Sequence, residues 1–213
     1  MDRVAANGSR RRRSPALLHF RRFLAHPVRL SSALPVSRAV ARMVASRVDP
    51  ASGDYVVELG SGTGAVTRAL LEAGVPAARL IAVEIDSEMA AYLAEVLPDI
   101  TMIHGSATDI GQLLPAEARG CVGAVICGVP VSMLGMDEQV AMIEAMLALK
   151  PRDGRFLAYS YRPGSPLRAA RLGLTAERLD FTLRNAFPAS VWAFRAAGAG
   201  RDEATGTKQA THG

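Results

Sequence analysis

Short apolar runs rich in β-branched residues recur through the middle of the chain, each closed by turn residues and followed by a stretch with helical spacing. The runs predict strands over residues 55–59, 80–84, 101–104 and 124–127, and the periodic stretches predict helices over 65–73, 88–97 and 137–149. This alternation is the rhythm of a doubly wound parallel sheet. A fifth strand is expected over 156–161, and a closing pair over 179–187 and 191–195 flanks Pro188 with no helix between, an antiparallel end to a seven-stranded sheet. Ahead of the first strand, residues 37–48 predict a helix that leads into a turn over 50–54. Earlier still, Ser14 and Pro15 start and Pro27 stops a short helix over 16–25. Leu17, Phe20, Phe23 and Leu24 share one third of its circumference, with Arg21 and Arg22 outside that arc. Residues 1–14 and 196–213 carry no periodicity, which divides the chain into a basic arm (1–36), a folded domain (37–195) and a tail (196–213).

Composition narrows the class. The chain has 213 residues, 49% of them hydrophobic and 21% charged, enough for one sizeable core. No apolar run approaches the roughly 20 residues of a membrane-spanning helix. Cys121 and Cys127 fit no redox or zinc spacing and read as reduced core residues, and without a secretory signal the expected setting is cytoplasmic. His19, His26, His104 and His212 share no ligand spacing, so no metal is expected. The net charge of +5 conceals a division: residues 1–48 hold eleven arginines against Asp2, a balance of +10, and the remainder carries −5. A basic arm on an acidic body points to a polyanionic partner, either a membrane surface or a nucleic acid.

The strongest chemical signal is Glu58-Leu59-Gly60-Ser61-Gly62-Thr63-Gly64, where a buried strand turns into a helix. Dinucleotide enzymes favour GxGxxG, whose open helix terminus accepts a pyrophosphate. Here the pattern is ExGxGxG; a carboxylate at Glu58 repels a pyrophosphate but can organise the loop around a cationic amino-acid tail. The second strand ends in Glu84, the position of a carboxylate that accepts both ribose hydroxyls. Capping of the next helix suits Asp86 or Ser87 better.

These motifs and the strand order resemble the class I S-adenosylmethionine-dependent methyltransferases over residues 37–195, which implies a Rossmann-like α/β sheet and S-adenosylmethionine as cofactor. By that resemblance Glu58, Gly60, Ser61, Gly62 and Gly64 hold the methionine end, Glu84 and Ile85 the ribose, and Ser106 and Ala107 the adenine, with Gly128 also lining the site. The adenine loop departs from the usual Gly-Asp-Ala: it reads Gly105-Ser106-Ala107, leaving Ser106 or Asp109 to meet the adenine amino group.

Enzymes that methylate adenine in nucleic acid place an Asn or Asp, prolines and an aromatic ring after the fourth strand to receive a flipped base. Cys127-Gly128-Val129-Pro130-Val131 has neither acceptor nor ring. The segments Phe20 to Pro27, Gly128 to Pro130, Phe156 to Tyr161 and Pro188 to Arg195 instead resemble the short bacterial phospholipid N-methyltransferases, departing at Ala158 and Val131. That resemblance implies stepwise methylation of phosphatidylethanolamine towards phosphatidylcholine at the inner face of the cell membrane. Seven of the eleven aromatic residues, Phe156, Tyr159, Tyr161, Phe181, Phe187, Trp192 and Phe194, fall in the last third of the domain, where they either fill the core or meet a methylated ammonium. Tyr161 is the first candidate for an active-site role and Tyr159 the second. Arg162 and Arg195 are candidates for the lipid phosphate, and Pro130 and Trp192 for lining the substrate site. Arg10, Arg11, Arg12, Arg13, Leu17, Phe20, Arg21, Arg22, Phe23 and Leu24 are expected at an anionic membrane surface, or as a lid over the cofactor. The alternatives are another aminolipid such as ornithine lipid, an RNA of the ribosomal adenine type, and a non-catalytic membrane module.

Overall fold

A computed structural model describes residues 36–161, 164–183 and 188–198. The basic arm, Arg162 and most of the tail therefore lie outside the described residues. Within them, α1 (Arg38–Ala45) precedes an alternation of β1 (Tyr55–Leu59), α2 (Ala65–Glu72), β2 (Leu80–Glu84), α3 (Ser87–Val96), β3 (Thr101–His104), the one-turn α4 (Ile110–Leu113), β4 (Val122–Cys127), α5 (Met136–Ala148) and β5 (Arg155–Ser160). Two long strands, β6 (Leu174–Thr182) and β7 (Ala189–Ala196), close the domain.

The strands form one seven-stranded sheet in the order β3-β2-β1-β4-β5-β7-β6. Neighbours from β3 to β5 pair in parallel, and β7 alone runs antiparallel to its neighbours β5 and β6. This is the expected Rossmann-like methyltransferase sheet. The order reverses between β1 and β4, and such a switch point opens a crevice beyond the carboxyl ends of the strands.

Every residue of β1 and β2 is buried because helices cover both faces. Alternation then assigns each side chain to a face. Val57, Leu59, Phe156, Ala158 and Phe194 join one core with Ile110, Met142 and Met146. Val56, Leu157, Val191 and Ala193 join the other with Val44 and Leu70. Glu58 shares the parity of Val56, which turns its carboxyl toward α2.

Helix boundaries follow their caps. Ser37 caps α1, its Oγ accepting from the Val40 N–H at 3.3 Å, so the helix is shorter at both ends than the 37–48 expected. Asp86 caps α3 by accepting from the Glu88 and Met89 N–H groups, each at 3.0 Å. The largest departure is β6, which starts five residues before the expected 179 and ends at Thr182. As the outermost strand it is specified by its ladder to β7; its exposed first half has no apolar face of its own to mark it. Likewise β4 starts at Val122, two residues early, and Cys121, just ahead of it, is exposed where a core residue is expected, while Cys127 is buried.

The Phe156 and Phe194 rings stack across β5 and β7 with centroids 5.2 Å apart, and both are fully buried. Phe156→Ala is expected to lower unfolding stability by about 3–5 kcal/mol in urea titration while leaving the strand content by circular dichroism unchanged.

Candidate active site

The carboxyl ends of β1, β2 and β4 converge on glycine-bearing loops. Gly60 and Ser61 N–H groups donate to the Val83 carbonyl at 2.8 and 3.2 Å, and Gly128 N–H donates to the Leu59 carbonyl at 2.8 Å. Gly128 has to be glycine, since a Cβ there would stand 2.6 Å from the Gly60 carbonyl oxygen and 3.2 Å from the Tyr159 hydroxyl. Gly62 is required for a different reason. Its φ of +53° disfavours a side chain, and the space over it is open, with nothing within 4 Å of an added Cβ.

Two buried acids organise this backbone. Glu84, 4% exposed, accepts three N–H groups: Gly62 through Oε2 at 2.8 Å, and Ile85 and Asp86 through Oε1 at 2.8 and 2.9 Å. It thereby ties the glycine loop to the turn after β2, and the capping role belongs to Asp86. Glu58, 2% exposed, accepts at Oε2 from the Thr67 hydroxyl of α2 at 2.6 Å. Burial pushes its carboxyl up to about 8 against the Thr67 hydrogen bond, and the nearby charge of Glu84 adds to the rise. Beside them, Ser61 Oγ is the one buried side-chain polar atom without a partner among the described residues.

The remaining expected residues divide between this edge and elsewhere. Ser106 lies in the loop after β3, with its hydroxyl 2.7 Å from Thr108 Oγ1, and Ala107 is packed into the core. Asp109 is exposed one turn on. His104 Nε2 lies 3.3 Å from the Ile85 carbonyl, flanking the expected ribose position. Pro130 follows Gly128 in an inverse γ-turn, φ −74° and ψ 68°, closed by a Val131 to Val129 backbone bond of 2.8 Å. Tyr159 reaches the site from β5, where burial and then the charge of Glu58 raise its phenol far above the ordinary value, so it stays protonated. Tyr161 follows the end of β5, and its Oη accepts the Ser37 N–H at 3.2 Å.

Trp192 is on the other sheet face, half-buried against the Phe156 core, with Nε1–H donated to Ser190 Oγ at 2.8 Å. Arg195 corrects the expectation. It pairs with Arg155, the first residue of β5, and donates to the Asp153 carbonyl, which puts it at the opposite edge of the sheet from the glycine loop. A hollow lined by Arg47, Asp54, Gly123 and Arg152 lies at that same far edge, and its Arg152 is bound to Asp54. The membrane residues Arg10 to Arg13, Leu17, Phe20 to Leu24, and Arg162, lie outside the described residues.

Sequence reasoning missed Thr67 and Ser37. The one signal for Thr67 is a hydroxyl on the apolar face of α2, among Val66, Ala69 and Leu70. Ser37 reads only as the first residue of the helix expected over 37–48.

Loop, switch point and paired acids define a nucleotide-binding site of the class I methyltransferase type. The residues fit S-adenosylmethionine: open space over Gly62, and, among the described residues, a Ser61 hydroxyl without a partner and a buried Glu58 with no cation beside it suit an amino-acid tail bearing an ammonium. Residues 56–154 match the family profile of a methyltransferase domain. An ornithine lipid N-methyltransferase of Singulisphaera acidiphila is 24% identical over 174 residues, covering 80% of this chain and 91% of its own. A ribosomal RNA small subunit methyltransferase A of Caulobacter vibrioides is 36% identical over 98 residues, 44% of this chain, which spans only 36% of that relative's length. In fold, a TehB-like SAM-dependent methyltransferase of Corynebacterium glutamicum superposes with a TM-score of 0.51 at 14% identity, covering 86% of this chain and 100% of its own. Over residues 56–154 the chain is thus similar to a methyltransferase domain, its fold is shared with an S-adenosylmethionine-dependent methyltransferase, and S-adenosylmethionine is the cofactor that its site residues fit.

Two outcomes follow from the geometry. Gly62→Arg fills the open space over the loop and is expected to abolish the calorimetric heat of S-adenosylmethionine binding, while urea unfolding shifts by only about 1 kcal/mol, the cost of a side chain at positive φ. Folding raises the Glu58 carboxyl from its ordinary 4.5 to about 8, so the folded chain holds that proton more tightly than the unfolded chain does. The stability this confers is complete below pH 4.5 and is lost as pH rises toward 8. In Glu58→Gln, melting of the cofactor-free protein is expected to lose that decline between about pH 5 and pH 8; a wild-type decline retained in the variant assigns it to another group. The same variant is expected to bind S-adenosylmethionine roughly tenfold more weakly, a loss of about 1.4 kcal/mol.

Proposed function

We propose that the protein transfers methyl groups from S-adenosylmethionine to the amine of an aminophospholipid, phosphatidylethanolamine first, peripherally and reversibly bound at the cytoplasmic face of the cell membrane. The observation that carries this reading is the turn after β4. At the position where an adenine methyltransferase offers a stacking ring, Val131 is 4% exposed and packed in the core, and Cys127 is buried with Sγ 3.5 Å from the Val129 carbonyl. Gly128, Val129 and Pro130 add no side-chain acceptor for a base. The lipid-methylating relative also aligns over most of both chains, whereas these two ribosomal relatives align over less than half of this chain.

Bound here, the cofactor supplies an electrophilic methyl group. An ethanolamine ammonium has a pKa near that of lysine, so freeing its lone pair at neutral pH costs on the order of 4 kcal/mol. A low-dielectric site depresses that pKa, and alignment of the amine with the methyl carbon at roughly 3 Å supplies most of the acceleration. Tyr159, held protonated, serves by donating its hydroxyl hydrogen to an acceptor at the site. Tyr161, anchored by Ser37 N–H, keeps its own O–H free of that bond and is the candidate to orient the amine. Arg162 and Trp192 remain candidates for the substrate, and the basic arm for the anionic surface.

An RNA substrate is the second reading, favoured by identities of 36% and 42% to ribosomal RNA methyltransferases over 98 and 83 residues. Incubation with labelled S-adenosylmethionine separates the two: label is expected in phosphatidylethanolamine of anionic liposomes and absent from total RNA, and label in RNA alone overturns the lipid reading. Ornithine lipid liposomes distinguish the aminolipids. Replacing Arg10 to Arg13 with alanine is expected to weaken binding to anionic vesicles while leaving cofactor affinity unchanged; wild-type vesicle binding would remove the arm from the account.

A further inference from the structure

Eight large apolar side chains stand exposed among the described residues: Tyr92, Val96, Leu113 and Val140 on helices α3, α4 and α5, and two further pairs. Met133 and Met136, 38% and 46% exposed, lie in the segment that leaves the carboxyl end of β4 and enters α5. Phe181 and Leu183, 41% and 71% exposed, lie at the end of β6. Strand register brings the two pairs to one edge. Phe181 is in register with Ser190, and Ser190 with Ser160, the last residue of β5. Ala158 is in register with Cys127, so the Ser160 row is level with Val129, in the loop that packs on Gly60. Register and connectivity therefore place both pairs at the edge of the sheet on which the cofactor site opens.

We infer that this rim is a membrane-docking surface, with Met133, Met136, Phe181 and Leu183 entering the headgroup boundary of an anionic bilayer around the active-site mouth. The inference deepens the aminolipid reading and rests on it for its purpose, which is to bring a lipid amine to the site without lifting the lipid out of the bilayer. The occupant is a bilayer because of charge as well as apolarity. The Arg178 guanidinium lies 5.5 Å from the Phe181 ring centroid, a pairing that seats the ring at the acyl boundary and the cation at phosphate depth. Eight arginines and one acid precede Ser37, and Ser37 is bonded to Tyr161 at this same edge. Of the nearby acids, Glu138 accepts from the Gly135 N–H and Asp180 is paired with Arg47 at 2.7 Å. Asp137 is exposed beside Met136 and lies in the first turn of α5, whose dipole offsets its charge.

The test is co-sedimentation of the full chain with vesicles of phosphatidylcholine and phosphatidylglycerol, which hold no aminolipid, so that binding is read apart from turnover. Met133→Ser/Met136→Ser/Phe181→Ser/Leu183→Ser is expected to lose at least tenfold in partitioning with S-adenosylmethionine affinity by calorimetry unchanged. Leu183→Glu alone, at the most exposed position, is expected to lose severalfold, and Val96→Ser, an exposed apolar residue at the far end of α3, nothing. Wild-type partitioning by either rim variant, or a wild-type chain that does not sediment, overturns the docking surface. Failure of the substrate reading looks different: the wild-type chain binds vesicles through the rim yet labels no lipid amine, which leaves the docking surface standing.

Discussion

A single carboxylate positions the backbone on which the site is built. Glu84 is almost wholly buried, and a buried charge persists only when its lone pairs are satisfied. It is satisfied by three N–H groups drawn from two different loops, those of Gly62, Ile85 and Asp86. Charge-assisted bonds of this kind are short and strong, and here they pin the glycine loop of β1 to the turn after β2. With the Gly128 to Leu59 bond on the other side, three strand ends are fixed around one crevice at the point where the strand order reverses. The resemblance gives Glu84 the cofactor ribose as a further partner, so the group that shapes the crevice also reads its ligand.

Glu58 works on the opposite principle. Among the described residues its carboxyl is buried with one neutral donor, Thr67, and no cation, so it holds its proton to an unusually high pH. A cationic ligand tail placed beside it favours the ionised form, which the cofactor-free fold disfavours. Stability is thus given up at Glu58 in exchange for affinity, and Thr67 keeps the carboxyl aimed while that exchange takes place. A hydroxyl suits this task because it donates to the carboxyl whether that group is protonated or not.

What could be read in the sequence divides along the same lines. The bounds of β1 and β2 were legible residue by residue, because a strand covered on both faces reads as an apolar run between turns, and those of β3, half-buried at the edge of the sheet, from the turn residues on either side of it. The glycine loop and Glu84 were legible because their chemistry depends on local spacing. The first half of β6 was not, since an edge strand is defined by its partner. Arg195 misled for a related reason: its neighbours in sequence resemble a substrate segment, but β7 runs antiparallel and carries it back to the far edge beside Arg155. Thr67, Ser37 and the rim of Met133, Met136, Phe181 and Leu183 acquire meaning only once register and helix packing place them.

The placement of the tyrosines constrains any amine methylation at this site. Tyr159 lies too close to Glu58 and too deep to become a phenolate, so it cannot take the proton that an ammonium must shed before attack. Tyr161 is less enclosed, but its oxygen already accepts from Ser37, the first cap of the domain. A proton leaving the amine therefore has its route outward, along the side of the crevice where β5 ends and α1 begins. In the aminolipid reading that side faces the headgroup layer, where water and lipid phosphate are abundant acceptors. The reaction then needs no dedicated buried base; it needs the amine held still and the mouth of the site kept at the level of the headgroups.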